Sequence, residues 1–300
     1  MGRGWRVSSH SFIMADETGR MQVTVRGIPV DYEVRGEGTP VVLIHGWSCD
    51  RRYMLDDLEP VFDQRPGWQR IYLDLPGHGK TPAPDWLSTQ AQMLQIVQGF
   101  ISDVVPDGRL AVVGSSYGGY LALGVLRTMR ERLLGVALLI PDVPATDGSR
   151  NTEQNVTFFE DRSLFTDLAP DEEWIPRALV RHERRMLEAI RSGDMPAHQI
   201  ADYGFLERLE RNYMHTGAAA EPGPPFHGPS LILTGRQDST VGFRSVGRLL
   251  DELPRATYAV IDLAGHQLGR VERPVVFRTL VDDWLDRLEL EREGEHQPVP

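Results

Sequence analysis

Cysteine is almost absent from this chain: its 300 residues contain one, Cys49, so no disulfide can form within it. Continuous apolar runs of about 20 residues, the length of a membrane-spanning helix, are also missing. Basic residues are the minority, with 32 Lys and Arg against 43 Asp and Glu and a net charge of −11. A chain with this charge repels nucleic-acid phosphates. These absences predict no membrane span and no nucleic-acid partner.

The two ends of the chain are polar. Residues 1–20 have no sustained apolar stretch of the kind found in a signal peptide, and together with the single cysteine this predicts a cytoplasmic protein. We expect residues 1–20 to be a disordered or loosely attached extension and residues 291–300 to be a disordered tail.

Short apolar segments recur along the chain and are typical of parallel strands covered on both faces. Longer amphipathic segments between them predict helices, and an alternating stretch near the start predicts an antiparallel pair. The order of these segments predicts an α/β fold, a mostly parallel eight-stranded sheet with helices on both faces. The predicted strands are 21–26, 30–35, 41–44, 71–73, 110–113, 136–140, 231–233 and 257–262, and the predicted helices are 51–62, 88–104, 117–132, 241–253 and 268–288.

Residues 142–227 break this alternation, because they carry helical patterns with no convincing buried strand between them. They predict a helical cap inserted between the two parts of the core, residues 21–141 and 228–290. One cap helix should begin near residue 171, and a second should run from Ala197 to about His215. Large side chains of this region and one from the core are candidates to line a substrate pocket: Trp47, Phe158, Phe159, Trp174 and Tyr213.

The segment 114–118, Gly-Ser-Ser-Tyr-Gly, lies between a predicted strand and a predicted helix. A sharp strand-to-helix turn exposes its central residue at the top of the sheet, and small residues two positions before and after relieve the crowding. The hydroxyl of Ser116 then lies at a helix N-terminus, where backbone N–H groups stabilise negative charge. Ser116 is therefore predicted to be a catalytic nucleophile.

A serine hydroxyl needs a base to remove its proton and an acid to orient that base. His266 follows the last predicted strand, and Asp238 follows the strand 231–233. The carboxyl ends of parallel strands share one edge of the sheet, so we predict that these side chains meet Ser116 there. Asp142, just beyond the strand 136–140, remains an alternative acid.

These motifs, in this order, resemble those of the α/β-hydrolase fold over roughly residues 21–288. The matching segments are 45–47 (His-Gly-Trp), 74–79 (Asp-Leu-Pro-Gly-His-Gly), 114–118, 235–238 (Gly-Arg-Gln-Asp) and 265–266 (Gly-His). The resemblance implies a serine hydrolase with a helical cap, in which Ser116 is the nucleophile, His266 the base and Asp238 the acid. It further implies that the backbone N–H groups of Trp47 and Tyr117 form an oxyanion hole.

We expect the substrate to be a small-molecule carboxylic ester or lactone, cleaved through an acyl-enzyme without a cofactor or metal. The fold also hosts amide, thioester and carbon–carbon bond hydrolysis, perhydrolases, lyases and non-catalytic receptors for small molecules, and these alternatives stay open. The histidines of the predicted cap, His182, His198 and His215, lack the paired spacing that is typical of metal ligands. Either a monomer or a homodimer is compatible with the sequence.

Overall fold

The computed structural model describes residues 14–15, 20–143, 152, 154–212 and 221–294. Nine strands in these residues form one sheet in the order β1-β2-β3-β5-β4-β6-β7-β8-β9. The strands are β1 (Met14–Ala15), β2 (Arg20–Val25), β3 (Ile28–Arg35), β4 (Thr39–Ile44), β5 (Trp68–Leu73), β6 (Leu110–Ser115), β7 (Leu133–Leu139), β8 (Ser230–Gly235) and β9 (Ala256–Ile261).

The predicted fold class is confirmed. Strands β1, β2, β3 and β5 pair antiparallel, and every pair from β5 across to β9 is parallel. Each of the eight expected strands is present, and β1 adds two residues of the N-terminal extension at the edge of the sheet. At the centre, Val42 is in register with Ile71 and Val112. The parallel strands therefore bring their carboxyl ends to one edge of the sheet.

Helices cover both faces of the sheet, and each face buries its own apolar cluster. Helices α1 and α8 pack on one face, and α2 and α3 pack on the other. None of the helices that the structure describes combines the length and apolar character needed to cross a bilayer. The core helices are α1 (Arg51–Phe62), α2 (Gln90–Val104), α3 (Tyr117–Met129) and α8 (Pro274–Gly294).

Two predicted helices of the core differ from the structure. The segment 241–253 forms only a 3₁₀ turn at Val246–Leu250, because Gly242 has a left-handed φ of 75° that a helix cannot contain. The closing helix begins at Pro274 instead of Leu268, since proline is suited to a first helical turn and not to its interior. It continues to Gly294, past the expected end of the core, and residues 295–300 lie outside the described residues.

The inserted segment is helical and has a small core of its own. The predicted single helix from 197 to 215 is wrong: α6 ends at His198, and the side chain of Asp202 caps a new helix by accepting a hydrogen bond from the N–H of Phe205. Residues 144–151, 153 and 213–220 lie outside the described residues. The helices of this segment are α4 (Ile175–Ala178), α5 (Arg184–Ala189), α6 (Met195–His198) and α7 (Tyr203–Arg211).

A buried ionic cluster joins the inserted segment to the core. Arg270, in the turn Leu268–Glu272, donates from Nη2 to Oδ1 of Asp194 at 3.0 Å, and its backbone N–H donates to Oδ1 of Asp57 at 3.0 Å. Both carboxylates are buried, and the guanidinium also lies over the ring of Tyr53. Burial raises the pKa of Asp194 to about 6, although Arg270 opposes this shift.

Replacing Arg270 by methionine should therefore destabilise the fold. Arg270→Met leaves two buried carboxylates without their cation, and removing one member of a buried ionic cluster costs about 3–5 kcal/mol. The free energy of unfolding in urea measures this loss. Arg162→Met is the matched control, because Arg162 forms its ion pair with Glu160 on the exposed surface, and the loss of this pair should destabilise the fold far less. Equal losses for the two variants would contradict the anchoring role of Arg270.

Candidate active site

Ser116 has a left-handed backbone at the junction between β6 and α3, with φ 53° and ψ −116°. Hydrogen bonds hold this conformation from both sides. The Ser116 N–H donates to the carbonyl of Leu139 at 2.9 Å, and the Ser116 carbonyl accepts from the N–H groups of Gly119 at 2.9 Å and Asp142 at 3.0 Å. A non-glycine residue in this region is strained, and such strain occurs at functional sites.

The glycines that flank Ser116 are needed because backbone approaches them closely. A Cβ on Gly114 would lie 2.2 Å from the carbonyl oxygen of Gly118. A Cβ on Gly118 would lie 2.2 Å from the carbonyl oxygen of Ile44, at the end of β4. Both distances are far below van der Waals contact, so a larger residue at either position would displace the turn that presents Ser116.

The structure brings His266 between Ser116 and Asp238. His266 Nε2 lies 2.9 Å from Ser116 Oγ, and His266 Nδ1 lies 2.9 Å from Asp238 Oδ2. An ionised carboxylate only accepts hydrogen bonds, so Nδ1 carries the proton that is shared with Asp238. In the neutral ring, Nε2 then has a lone pair directed at the hydroxyl of Ser116.

The pKa shifts of Asp238 and His266 reflect this arrangement. Asp238 is fully buried, and although burial raises its pKa, His266 and the N–H groups of Val241 and Thr240 lower it below its usual value of 3.8. Burial lowers the pKa of His266, but the carboxylates of Asp238, Asp142 and Glu272 together more than offset this and leave it above 6.5. Asp142 is also buried nearby, and its charge acts on His266, but the hydrogen bond from Nδ1 goes to Asp238.

The loop after β4 passes beside Ser116. A Cβ on Gly46 would lie 3.3 Å from Ser116 Cβ. His45 Nε2 accepts from the N–H of Leu75 at 3.0 Å, so its Nδ1–H donates to the carbonyl of Gly46 at 2.8 Å. Asp74 accepts from the N–H of Arg51 at 2.9 Å. These side chains therefore fix the loop that carries Trp47.

Ser116 and His266 open into a cavity of about 250 Å³ between the sheet edge and the inserted segment. Of the expected pocket residues, Trp47 and Trp174 line it. Phe158 and Phe159 do not, because their segment pairs with 180–182 on the outside of the cap and leaves them 51% and 63% exposed. Tyr213 lies outside the described residues. The cavity is lined by Gly46, Trp47, Ser48, Cys49, Tyr53, Ser115, Ser116, Trp174, Ala178, His198, Thr240, His266 and Gln267.

Glu272 is a buried site residue that the sequence did not reveal. Its Oε2 accepts from the N–H of Gly265 at 2.6 Å, directly before His266, and its Oε1 accepts from the N–H of Val180 in the inserted segment at 2.9 Å. Glu272 thus links the histidine loop to the cap. Burial raises its pKa to about 7, despite the two N–H donors that oppose the shift. A single glutamate six positions after a histidine has no spacing that would signal this role.

The alpha/beta hydrolase family model matches residues 41–280 of the chain. The chain belongs to this family. The alpha/beta superfamily hydrolase from Oenococcus oeni PSU-1 has the same fold, with a TM-score of 0.77, 27% identity and coverage of 87% of this chain and 96% of that chain.

Two curated proteins named for different hydrolytic activities are similar to this chain. The 2-hydroxy-6-oxo-6-(2'-aminophenyl)hexa-2,4-dienoic acid hydrolase of Metapseudomonas resinovorans is 32% identical over 280 residues, 88% of this chain and 90% of that protein. The pimeloyl-(acyl-carrier protein) methyl ester esterase of Legionella pneumophila (strain Paris) is 35% identical over 94 residues, 31% of this chain and 34% of that protein. A dienoic acid hydrolase and a methyl ester esterase are thus both similar to this chain.

The raised pKa of Glu272 predicts a pH-dependent stability. A carboxyl whose pKa is about 7 in the folded chain and about 4.3 in the unfolded chain binds its proton more tightly when folded. Its contribution to stability is present at low pH and is lost as the pH rises from about 4.3 to about 7. Glu272→Gln cannot titrate. The free energy of unfolding of the wild type minus that of this variant should fall across the interval, by up to about 1.4 kcal/mol per pH unit.

Urea unfolding at several pH values checks this. Glu207→Gln, on the exposed side of α7, is the matched control, and its difference from the wild type should stay nearly constant. A difference for Glu272→Gln that is equally flat from pH 4 to pH 8 would show that folding does not raise the pKa of Glu272.

Proposed function

We propose that this protein is a serine hydrolase that cleaves a carboxylic ester or lactone of a small molecule through an acyl-enzyme intermediate. The observation that carries the proposal is the continuous hydrogen-bonded chain from Ser116 through His266 to Asp238, with both links at 2.9 Å, at the mouth of a cavity large enough for a small acyl group. Asp238, whose pKa lies below 3.8, is ionised and can hold the Nδ1–H tautomer in which neutral His266 accepts the proton of Ser116.

In the first half of the reaction, Ser116 Oγ attacks the carbonyl carbon and its proton moves to His266 Nε2. The carbonyl oxygen becomes an oxyanion, for which we propose the backbone N–H groups of Trp47 and Tyr117 as donors. The closeness of Gly46 to Ser116 supports this assignment. The carbon–oxygen bond to the leaving group then breaks, and the proton on His266 passes to the departing alcohol.

Water completes the cycle by the same route. His266 Nε2 accepts a proton from the water as it attacks the acyl carbon, and a second oxyanion forms at the same N–H donors. When the bond to Ser116 Oγ breaks, the proton returns from His266 to the serine and the acid is released. Asp238 stays ionised throughout and holds the Nδ1–H tautomer.

Esters and lactones fit the cavity better than charged substrates. The described residues that line it include no Arg, Lys, Asp or Glu, so a carboxylate or ammonium group would lose its hydration without a compensating charge. An alcohol leaving group also depends less on proton donation from His266 than an amine leaving group does. We further infer a cofactor-independent enzyme in the cytoplasm, which agrees with a single, unpaired cysteine.

Carbon–carbon bond hydrolysis is the second candidate. It is favoured by the similarity, over 88% of this chain, to the dienoic acid hydrolase of Metapseudomonas resinovorans. The cation-free lining of the described cavity argues against a dienoic acid substrate here. Turnover of a panel of aryl esters, lactones and vinylogous 1,5-diketo acids distinguishes the two, because the ester proposal predicts turnover of the first two classes only.

Ser116→Ala should fold normally and lose turnover by roughly 10⁴-fold or more, because it removes the atom that forms the acyl-enzyme. Steady-state hydrolysis of p-nitrophenyl esters measures the loss, and circular dichroism verifies the fold. Ser115→Ala removes the neighbouring hydroxyl in the same turn and should keep most of the activity. Unchanged turnover in Ser116→Ala would rule out the proposed mechanism.

The two candidate acids should differ sharply when their charge is removed. Asp238→Asn offers His266 Nδ1 an amide that can stabilise the wrong tautomer, so kcat should fall by roughly 10⁴-fold. Asp142→Asn should cost less than about tenfold, since His266 Nδ1 is bonded to Asp238. The opposite ranking of the two kcat values would assign the acid to Asp142.

A further inference from the structure

Besides His266, one histidine of the inserted segment lines the cavity. His198, the last residue of α6, lines it together with Ser116 and His266. His198 Nδ1 lies 2.9 Å from the hydroxyl of Ser48, and its ring packs against that of Trp174 with centroids 5.3 Å apart. Its other nitrogen, Nε2, has no hydrogen-bond partner among the described residues.

The hydrogens at Ser48 decide which nitrogen of His198 is protonated. Ser48 Oγ lies 2.7 Å from the carbonyl oxygen of Trp47. Two oxygens this close need a hydrogen between them, and only the serine hydroxyl can supply one. Ser48 has no second hydrogen to give, so His198 Nδ1–H must be the donor to Ser48 Oγ.

The imidazole of His198 is neutral in this environment. Burial lowers its pKa below 6.5, and the charge of Asp50 only partly opposes this. A neutral ring with its proton on Nδ1 has a lone pair on Nε2. His198, which lines the cavity, therefore carries a hydrogen-bond acceptor that has no partner among the described residues.

The backbone conformation of Ser48 suggests that its hydrogen bond with His198 has a functional role. Ser48 has φ 55°, a left-handed conformation that glycine adopts without strain. Serine at such a position is strained, and strain of this kind is retained where the surrounding structure uses it. The side chain that glycine would lack is the one that fixes the tautomer of His198.

We propose that His198 Nε2 is a specificity-determining acceptor that selects uncharged esters bearing a hydroxyl or N–H group. The inference rests on the proposed function, since it assumes that the substrate is held beside Ser116. A methyl group in place of the donor leaves Nε2 unpaired, and an ether oxygen places two lone pairs against each other. A carboxylate adds the same repulsion together with an uncompensated charge.

Matched p-nitrophenyl esters test the proposal. Hexanoyl esters with a hydroxyl at carbon 2, 3 or 6 are each compared with the ester in which a methyl group replaces that hydroxyl, and with the methoxy ester. The monoester of adipic acid provides the carboxylate. The wild type should prefer at least one hydroxyl ester over its methyl partner by about 3- to 10-fold in kcat/KM, with the methoxy ester and the adipate below both.

Two variants test whether the preference for hydroxyl esters depends on His198 and on its tautomer. His198→Phe should bring the hydroxyl-to-methyl ratio of kcat/KM close to one. Ser48→Ala frees the ring to place its proton on Nε2, so discrimination against the methoxy ester should weaken while the hydroxyl ester is still accepted. His182→Phe, at a cap histidine that packs on Phe165 away from the cavity, should keep the wild-type ratios.

The outcomes separate this inference from the function on which it rests. Hydrolysis of the plain hexanoyl ester with no preference at any hydroxyl position overturns the role of His198 alone. A preference that survives His198→Phe, or that is lost equally in His182→Phe, overturns it as well. Failure to hydrolyse any ester, together with no labelling of Ser116 by a fluorophosphonate, overturns both proposals.

Discussion

The left-handed backbone of Ser116 is held in place by the close approach of three chain segments. Gly118 lies against the end of β4, Gly114 lies against the start of α3, and the N–H of Ser116 is bonded to the end of β7. Because these contacts involve backbone within a buried sheet, they leave little freedom to the serine hydroxyl. In the proposed mechanism, the loops that carry Trp47 and His266 can act on this hydroxyl only because it is fixed first.

The loop that carries His266 is restrained at three points. Asp238 holds the ring, Glu272 accepts from the backbone directly before it, and Arg270 binds carboxylates of both α1 and the inserted segment. Two of these restraints also contact the cap. The packing of the inserted segment and the orientation of the His266 ring are therefore coupled through Glu272 and Arg270, so a change in one should alter the other.

Much of this architecture could be predicted from the sequence, because parallel strands and a strand-to-helix turn impose local patterns. The apolar segments give the sheet and the carboxyl-end positions of Ser116, Asp238 and His266. The extent of the cap helices is less predictable, since the break after His198 depends on how Asp202 caps the next turn. Glu272 and His198 contact residues about 90 and 150 positions away in the chain. The periodicity of apolar residues does not predict such contacts.

Ser116 shares its cavity with a thiol, that of Cys49. Burial raises the pKa of this thiol well above its usual value, so at neutral pH it lacks the thiolate that would attack a carbonyl. In the proposed mechanism, covalent chemistry therefore belongs to Ser116 alone.

Peptide mass spectrometry of the enzyme, quenched with acid during turnover of a p-nitrophenyl ester, tests this assignment most directly. An acyl adduct is expected on the peptide that contains Ser116, appearing with the first equivalent of nitrophenol and decaying once substrate is exhausted. An adduct on Cys49, or full turnover with Ser116 unmodified at every time point and no initial burst, would contradict it.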